Sequence, residues 1–382
     1  MPRKADGNTS AGHPSGASRN STTSLKNLRS QIDKLDLEIV KLVNERAQVA
    51  VEIGKIKGDQ GEEIFSPARE EEVIQNALQA NTKHKGPLFE NTIRAIFREI
   101  ISGSRALQRV VKVAYLGPEQ SFSHLAALEQ FGHAAEFVAV GNIATVFEEV
   151  NRSHVDFGVV PVENSTDGRV ADTLDMFLRL PHLVISAEIR LQVRHNLLAN
   201  CEQQQIRRVY SKPQALSQCR NWLSKNVPHA QLVEVSSTAA AAQLAQSEQG
   251  AAAVASRQAA VSYGLRVLFS DIEDTPGNET RFVVIGHQKC GKTGHDKTTI
   301  LFRIPHAPGT LANVLEVFKQ NKINLTWIES FPAKTQGKAE YLFFADCEGH
   351  ADDTKVSRTL KVLRDHCEIT ILGSYPAAPL IG

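Results

Sequence analysis

VVPVENSTDGRV, residues 159–170, joins an apolar run to a crowd of short polar side chains. The run from Val155 to Val162 reads as a buried strand, and it leads directly into Glu163, Asn164, Ser165 and Thr166 before an Asp167-Gly168 turn. A strand that ends this way, with a helix to follow, is a common floor for a ligand cleft in an α/β domain. Ordinary turn chemistry is the alternative, because Asp-Gly alone would produce a turn. Around this stretch, residues 110–285 alternate short apolar strands (VVKVAYLG, FGVVPV, RRVYS, AAAVAS, RFVVIG) with helical runs, which predicts an α/β domain with a mostly parallel sheet.

The 382 residues are enough for two or three domains and a sizeable core. With 43 basic against 42 acidic residues and no basic stripe, nothing in the bulk charge argues for nucleic acid or an anionic membrane. An anionic ligand must then be held by local cations. Cys201, Cys219, Cys290, Cys347 and Cys367 are widely spaced and form no CxxC pair, so neither a disulfide framework nor a zinc site is expected and a reducing cytoplasm fits. No cofactor or metal is called for. Residues 1–23, rich in Ser, Gly, Thr and Asn, read as a disordered tail, and no later stretch reaches the roughly 18 apolar residues of a membrane span.

Upstream of the α/β region, residues 24–109 read as three helices: Ser24 to about Lys57, Pro67 to about Ala80, and Asn91 to Gln108. At about 100° per residue, Leu28, Ile32, Leu35, Ile39, Leu42, Val43, Ala50 and Ile53 form one stripe of the first. Arg46 and Lys57 fall inside that stripe, about three turns apart. Two cations in a region that should be dry call for an anion opposite them. Arg29 lies about 25 Å away along the axis and reaches the same site only from a second subunit. The helix, about 50 Å long, is too long for two shorter partners to cover, which predicts a dimer with intertwined helices. Arg69-Glu70 opens the second helix, and Ser104 and Gln108 sit on the apolar face of the third beside Ile93, Phe97 and Ile100. An internal ion-pair network is the alternative for any one of these residues.

The runs LRSQIDKLDLEIVKLVNERAQVAVEIGKIK, SPAREEEV and IFREIISGSRALQ resemble the all-helical chorismate mutase family. The resemblance implies that Arg46, Lys57, Arg69 and the partner chain's copy of Arg29 bind the two carboxylates and the ether oxygen of chorismate. It further implies that Glu70, Ser104 and Gln108 contact the ring hydroxyl, a carboxylate or the ether oxygen. A Claisen rearrangement needs only a compact substrate conformation and cations near the oxygen where charge develops. Ser66 stands where the family has a carboxylate.

Several helices of the α/β region start after hydroxyl residues: Ser121 and Ser123, Thr166 before a helix from Arg169, Ser236-Ser237-Thr238, and Ser256. Each is a plausible N-cap, and several converging on one cleft would bind an anion. The segments VAYLGPEQSFSHLAA, GVVPVENSTDGRV, YSKPQALSQCRNWL and NETRFVVI resemble prephenate dehydratase, which implies a two-lobed fold similar to periplasmic binding proteins. Glu163, Asn164, Ser165 and Gln218 would then line the prephenate site. Thr280, in a Thr-Arg-Phe signature completed by Phe282, would hydrogen-bond the departing hydroxyl, with Glu163 an acid if burial raises its pKa. Arg281 would hold the pyruvyl carboxylate or brace the site. His195 also matches the family, in a core or catalytic role.

Residues 286–293, GHQKCGKT, match the phosphate-loop pattern at every position. That motif needs a helix directly after it, whereas here the chain runs into a strand, TTILFRI. Residues 287–297 therefore read as a flexible interdomain linker. Residues 298–376 read strand, helix, strand, strand, helix, strand, which is a ferredoxin-like order. PGTLANVL and NLTWIESFPAK resemble an ACT regulatory module, so Gly309, Thr310, Leu311, Glu329 and Ser330 are expected to bind an effector, phenylalanine. Phe331 replaces the family's arginine, and Thr310 a usual small residue.

The expected architecture is thus multidomain. An all-α helical mutase domain (24–109) precedes a two-lobed, periplasmic-binding-protein-like α/β dehydratase domain (110–286) and a ferredoxin-like βαββαβ ACT domain (298–376), in a homodimer or dimer of dimers. Chorismate and prephenate are the expected substrates. One rival is a dehydratase whose helices only dimerise, against which Arg46, Lys57, Arg69 and Gln108 speak. The other is a non-catalytic ligand-binding regulator, which would not need Glu163, Asn164 and Thr280 together.

Overall fold

In the computed structural model, residues 17–60, 65–166, 168–332 and 340–381 are described. Helices α1 (Ala17–Gln60), α2 (Pro67–Lys83) and α3 (Glu90–Ala106) build the N-terminal unit. The stretch read as a disordered tail divides: 17–23 belong to α1, and 1–16 lie outside the described residues. Extending a helix that an amphipathic segment has already nucleated is cheap even through Ser, Thr and Asn. At α2, Ser66 is the N-cap, its Oγ accepting from the Arg69 N–H, and Pro67 occupies the first turn. Ile74, Leu78 and Ile101 form a small core between α2 and α3. Neither covers the first half of α1, where Leu28, Ile32, Leu35, Ile39 and Leu42 are all more than half exposed.

The first lobe of the next unit contains β1 (Lys112–Leu116), α4 (Phe122–Phe131), β2 (Glu136–Val140), α5 (Ile143–Asn151), β3 (Phe157–Asn164), β4 (Gly168–Arg169), α6 (Ala171–Arg179) and β5 (Val184–Gln192). The chain then crosses into a second lobe of β6 (Asn196–Ala199), β7 (Arg208–Ser211), α7 (Pro213–Gln218), α8 (Arg220–Asn226), β8 (Gln231–Glu234), α9 (Thr238–Ser247), β9 (Ala251–Ala255), α10 (Arg257–Ser262) and β10 (Arg266–Phe269). It returns as β11 (Glu279–Gly286), which inserts between β3 and β5. Each sheet is mostly parallel, and the strand that has just arrived from the other lobe runs against its neighbours. That strand is β6 beside β9 and β10 in one sheet, and β11 beside β3 and β5 in the other. The two crossings, at 193–195 and 270–278, place loop residues at the mouth between the lobes.

The last unit runs β12 (Asp296–Pro305), α11 (Thr310–Gln320), β13 (Leu325–Pro332), β14 (Glu340–Glu348), α12 (Thr354–Leu363) and β15 (Glu368–Pro376), with antiparallel sheet order β13-β14-β12-β15. One face of this sheet packs under α11 and α12 through Ile300, Phe302, Val314 and Leu360. The other, with Leu301, Phe331, Leu342, Phe344 and Tyr375, shares a core with Val160, Ile185 and Val283 of the first lobe. Burial on both faces is why Ile300, Leu301 and Phe302 in TTILFRI are apolar at consecutive positions. The chain end turns back as β16 (Leu380–Ile381), a parallel strand on the outer edge of β5.

The segment expected to be a flexible linker is instead pinned. Cys290 is buried, the His287 ring meets the Val150 carbonyl at 3.0 Å, Lys292 Nζ donates to the Asp352 carbonyl at 2.6 Å, and Thr293 Oγ1 donates to Asp296 at 2.6 Å. No helix follows the phosphate-loop pattern, and the chain enters β12 at once.

Candidate active sites

The N-terminal cavity, about 660 Å³, lies between α1, α2 and α3. It is lined by Arg46 and Lys57 from α1, Ser66, Arg69 and Glu70 at the start of α2, and Ser104, Arg105 and Gln108 from the end of α3. Val49, Ala50, Ile53, Val73 and Ile101 supply the apolar walls. Arg46 Nη1 donates to Ser104 Oγ at 2.9 Å, and that hydroxyl donates on to the Ile100 carbonyl at 2.7 Å. Burial, and then the like charge of Arg69, holds the Arg46 guanidinium below its ordinary pKa, while Glu70 raises it. A set of crowded cations of this kind is relieved when an anion binds.

Arg105, which sequence reading missed, fixes the one acid. It meets the buried Glu70 Oε1 at 2.5 Å, and Arg98 lies 3.8 Å from Oε2. Its second nitrogen donates to the Phe131 carbonyl, and its guanidinium stacks 5.2 Å from the Phe65 ring centroid, tying this site to α4 of the next unit. The two-turn spacing of Arg98 and Arg105 about Ile101 was the available signal. Gln108 lies across Gly54, where a Cβ would overlap its side chain. Arg29 is exposed on α1 and does not line the cavity.

The second cavity, about 850 Å³, opens between the two lobes. Asn164 Nδ2 donates to Thr280 Oγ1 at 2.8 Å and to Asn278 Oδ1 at 3.0 Å. Asn278 Nδ2 donates to Gln218 Oε1 at 2.9 Å, and the same oxygen lies 2.8 Å from His195 Nε2, which therefore carries the ring proton. Asn278, another residue that sequence reading missed, thus joins the two crossings to both lobes. Its position just before the Thr-Arg-Phe signature, in a polar NET run, was the signal. Ser121, Ser123, Ser236, Ser237 and Thr238 line the cavity from opposite sides. Ser121 and Ser237 also cap their helices, accepting from His124 N at 3.3 Å and Ala240 N at 3.0 Å. Ser256 caps α10 away from the cavity. Thr166 caps nothing, because β4 intervenes and α6 begins at Ala171 with Val170 as its N-cap.

Three expected residues fall outside this cavity: Glu163 and Arg281 because a strand presents only alternate side chains to a face, and Ser165 because it lies in the turn past the end of β3. Asn164 faces the cleft and Glu163 does not. Burial raises the Glu163 pKa, against the opposing pull of Arg281, so the expected shift is present but is directed away from the cleft. The Ser165 Oγ accepts from Glu279 N at 2.9 Å and donates to Asn278 Oδ1 at 3.5 Å, so it props a cleft residue from behind. Thr280 faces the cleft, whereas the Arg281 guanidinium is buried between domains, 2.6 Å from Glu188 Oε1, 2.5 Å from Asp346 Oδ2 and 3.0 Å from the Tyr375 hydroxyl. Of its two expected roles, that is the bracing one. Although burial pushes the Glu188 pKa up, Arg281 and Lys297 together hold it below its ordinary value.

The expected effector residues are also divided. Gly309 ends the loop before α11 in a left-handed conformation (φ 84°) that favours glycine, and the Thr310 hydroxyl donates to the Pro305 and Ala307 carbonyls, both at 2.9 Å. Leu311 packs at the edge of the helix-side core. On β13, Ser330 is exposed, whereas Glu329 turns to the dehydratase side and pairs with Arg169 at 3.1 Å.

A cation-lined cavity in a helical unit and a polar cleft between two α/β lobes make this a two-site enzyme. The chain matches the family described as chorismate mutase type II over residues 28–109 and that of prephenate dehydratase over 113–290. It is 44% identical over 359 residues to the bifunctional chorismate mutase/prephenate dehydratase of Aquifex aeolicus, covering 93% of this chain and 99% of that one. The prephenate dehydratase of Arthrobacter aurescens, solved in complex with L-Phe, superimposes with a TM-score of 0.65 at 34% identity over 70% of this chain and 90% of its own. The prephenate dehydratase of Staphylococcus aureus does so with a TM-score of 0.61 at 31% identity over 69% and 100%. The chain belongs to the family of bifunctional chorismate mutase/prephenate dehydratases.

Proposed function

We infer that this chain rearranges chorismate to prephenate in the helical cavity, and in the interlobe cleft decarboxylates and dehydrates prephenate to phenylpyruvate. The observation that carries this reading is the presence of both constellations on one chain, the cations Arg46, Lys57 and Arg69 lining the helical cavity and the Asn164–Thr280 pair in the cleft. In the first site Arg46, Lys57 and Arg69 suit a compact dianion, Arg105 holds Glu70 in place, and Gln108 offers an amide to an ether oxygen. In the second, Asn164 donates to Thr280 Oγ1, which leaves the hydroxyl hydrogen for an acceptor in the cleft. The departing ring hydroxyl is that acceptor: as the carboxylate carbon–ring bond breaks and carbon dioxide leaves, the bonding electrons move into the ring, the ring carbon–oxygen bond breaks, and the leaving hydroxide, hydrogen-bonded by Thr280, takes a proton from solvent to become water.

Intact turnover by a dimer fits the exposed apolar stripe of α1, which a second copy would bury, bringing in the partner's Arg29. We assign residues 24–109 to the mutase, 110–286 to the dehydratase and 298–376 to a ferredoxin-like ACT domain. Feedback by phenylalanine at Gly309, Thr310, Leu311 and Ser330 is supported by the βαββαβ order and by the L-Phe complex of the Arthrobacter relative. The free thiols of Cys201, Cys219, Cys290, Cys347 and Cys367 suit a reducing cytoplasm. The test is turnover of purified protein on chorismate and separately on prephenate, following phenylpyruvate with and without phenylalanine. Absence of turnover on either substrate would refute the corresponding site.

A further inference from the structure

Prephenate carries two carboxylates, and Arg281, expected either to hold one of them or to brace the site, is committed to Glu188, Asp346 and Tyr375 outside the cleft. Among the residues lining the cleft, the arginine and lysine side chains are Arg169 and Lys212, on opposite lobes. Arg169 sits on the short strand β4, paired with Glu163 across the ladder, at the edge of the cleft nearest the C-terminal domain. Its Nη1 lies 3.1 Å from Glu329 Oε2 of β13, and its guanidinium stacks 4.5 Å from the Phe331 ring centroid on the same strand. The Arg169 side chain remains 41% exposed and that of Glu329 25%, so the pair is only partly dry and a second carboxylate can displace the first.

We propose that Arg169 is the substrate-carboxylate ligand of the dehydratase cleft, and that Glu329 of the C-terminal domain competes with prephenate for its guanidinium. This rests on the dehydratase reading of that cleft. The carboxylate held is the pyruvyl one. A cation on the ring carboxylate would stabilise charge that has to be lost as carbon dioxide leaves, whereas the pyruvyl group keeps its charge throughout. Its contact with Arg169 is equally strong in ground and transition states, so it contributes to KM and not to kcat. Phe331 belongs to the same device. Stacking on an aromatic face holds a guanidinium in place while leaving its N–H edge open to a carboxylate, and an arginine at 331 would repel Arg169 instead.

The experiment measures KM and kcat on prephenate for the full chain and for Arg169→Ala, Arg169→Lys, Glu329→Gln and the Arg169→Ala/Glu329→Gln double variant, with mutase turnover on chorismate as the folding control. Arg169→Ala raises KM about tenfold with kcat within about twofold, the effect of removing one charge-assisted contact that is uniform along the reaction. Arg169→Lys, which keeps the charge but not the fork, falls between. Glu329→Gln lowers KM about threefold in the parent and leaves it unchanged when Arg169 is already alanine, because the two act through one guanidinium. Unchanged KM in Arg169→Ala, or a Glu329→Gln effect of the same size in both backgrounds, overturns the proposal. If Arg169→Ala fails to fold, Arg169→Lys and Glu329→Gln decide by the same criteria. A parent chain that does not turn over prephenate sinks the dehydratase reading and this proposal with it, whereas failure confined to the variants sinks the proposal alone.

Discussion

Thr280 and Arg281 are consecutive on β11 and point to opposite faces of it. The threonine hydroxyl accepts from Asn164 in the cleft, and the arginine is buried against Glu188 of its own domain and Asp346 of the C-terminal one. One strand therefore carries chemistry on one side and the domain interface on the other, and substitutions at the two positions should separate these roles.

Thr280→Val keeps the shape and removes the hydroxyl. It should lower kcat on prephenate by about a hundredfold or more, the usual contribution of one preorganised hydrogen-bond donor to developing charge, without shifting urea unfolding. Arg281→Ala leaves the buried Asp346 without its cation and Glu188 with Lys297 alone, and should lower stability by about 3–5 kcal/mol. Equal loss of stability in both variants would contradict the division.

Gly54→Ala tests the helical site through a residue with no chemistry of its own. Alanine is favoured over glycine inside a helix by about 1 kcal/mol, so stability should hold or rise. The new Cβ displaces Gln108, so turnover of chorismate should fall by about tenfold or more while turnover of prephenate is unchanged. Retained mutase activity in a folded variant would remove Gln108 from the site.

Leu35→Glu places a charge in the middle of the exposed α1 stripe. A chain paired through this stripe should sediment as a monomer after the substitution and lose mutase turnover, because Arg29 of the partner no longer reaches the cavity, while the dehydratase persists. A monomer with full mutase activity would show that Arg29 has no part in the site.

Glu163 gives a pH signature with a defined sign. Its folded pKa is raised, chiefly by burial, so its contribution to stability is present in full below the ordinary carboxyl range and declines as pH rises through the folded value. Glu163→Gln removes that decline. The variant should melt higher than the parent at neutral pH, and the gap should close as pH falls toward the ordinary carboxyl range. A gap that widens on acidification would mean that Arg281 dominates burial at this carboxylate.

Amphipathic spacing set Arg46 and Lys57 on one stripe of α1, and Ser104 and Gln108 on the apolar face of the third helix, because a helix repeats every few residues and a cation inside an apolar stripe is visible in the linear chain; that Arg69 and Glu70 join them came from the family resemblance. The period of two in a strand was equally visible. It would have separated Asn164 from Glu163 and Thr280 from Arg281, but the match to family motifs set neighbouring residues side by side. Arg105 and Asn278 left weaker signals, since their importance comes from the side chains they join rather than from their own spacing.

Local periodicity thus settles which elements form and which face of each carries polar groups, since both depend on residues close together in the chain. The tertiary structure alone decides what those faces meet. Arg169 finds Glu329, and Arg281 finds Asp346, across long stretches of chain because two sheets pack together. No spacing within a segment encodes such a meeting; it arises from the burial of apolar surface shared by both domains.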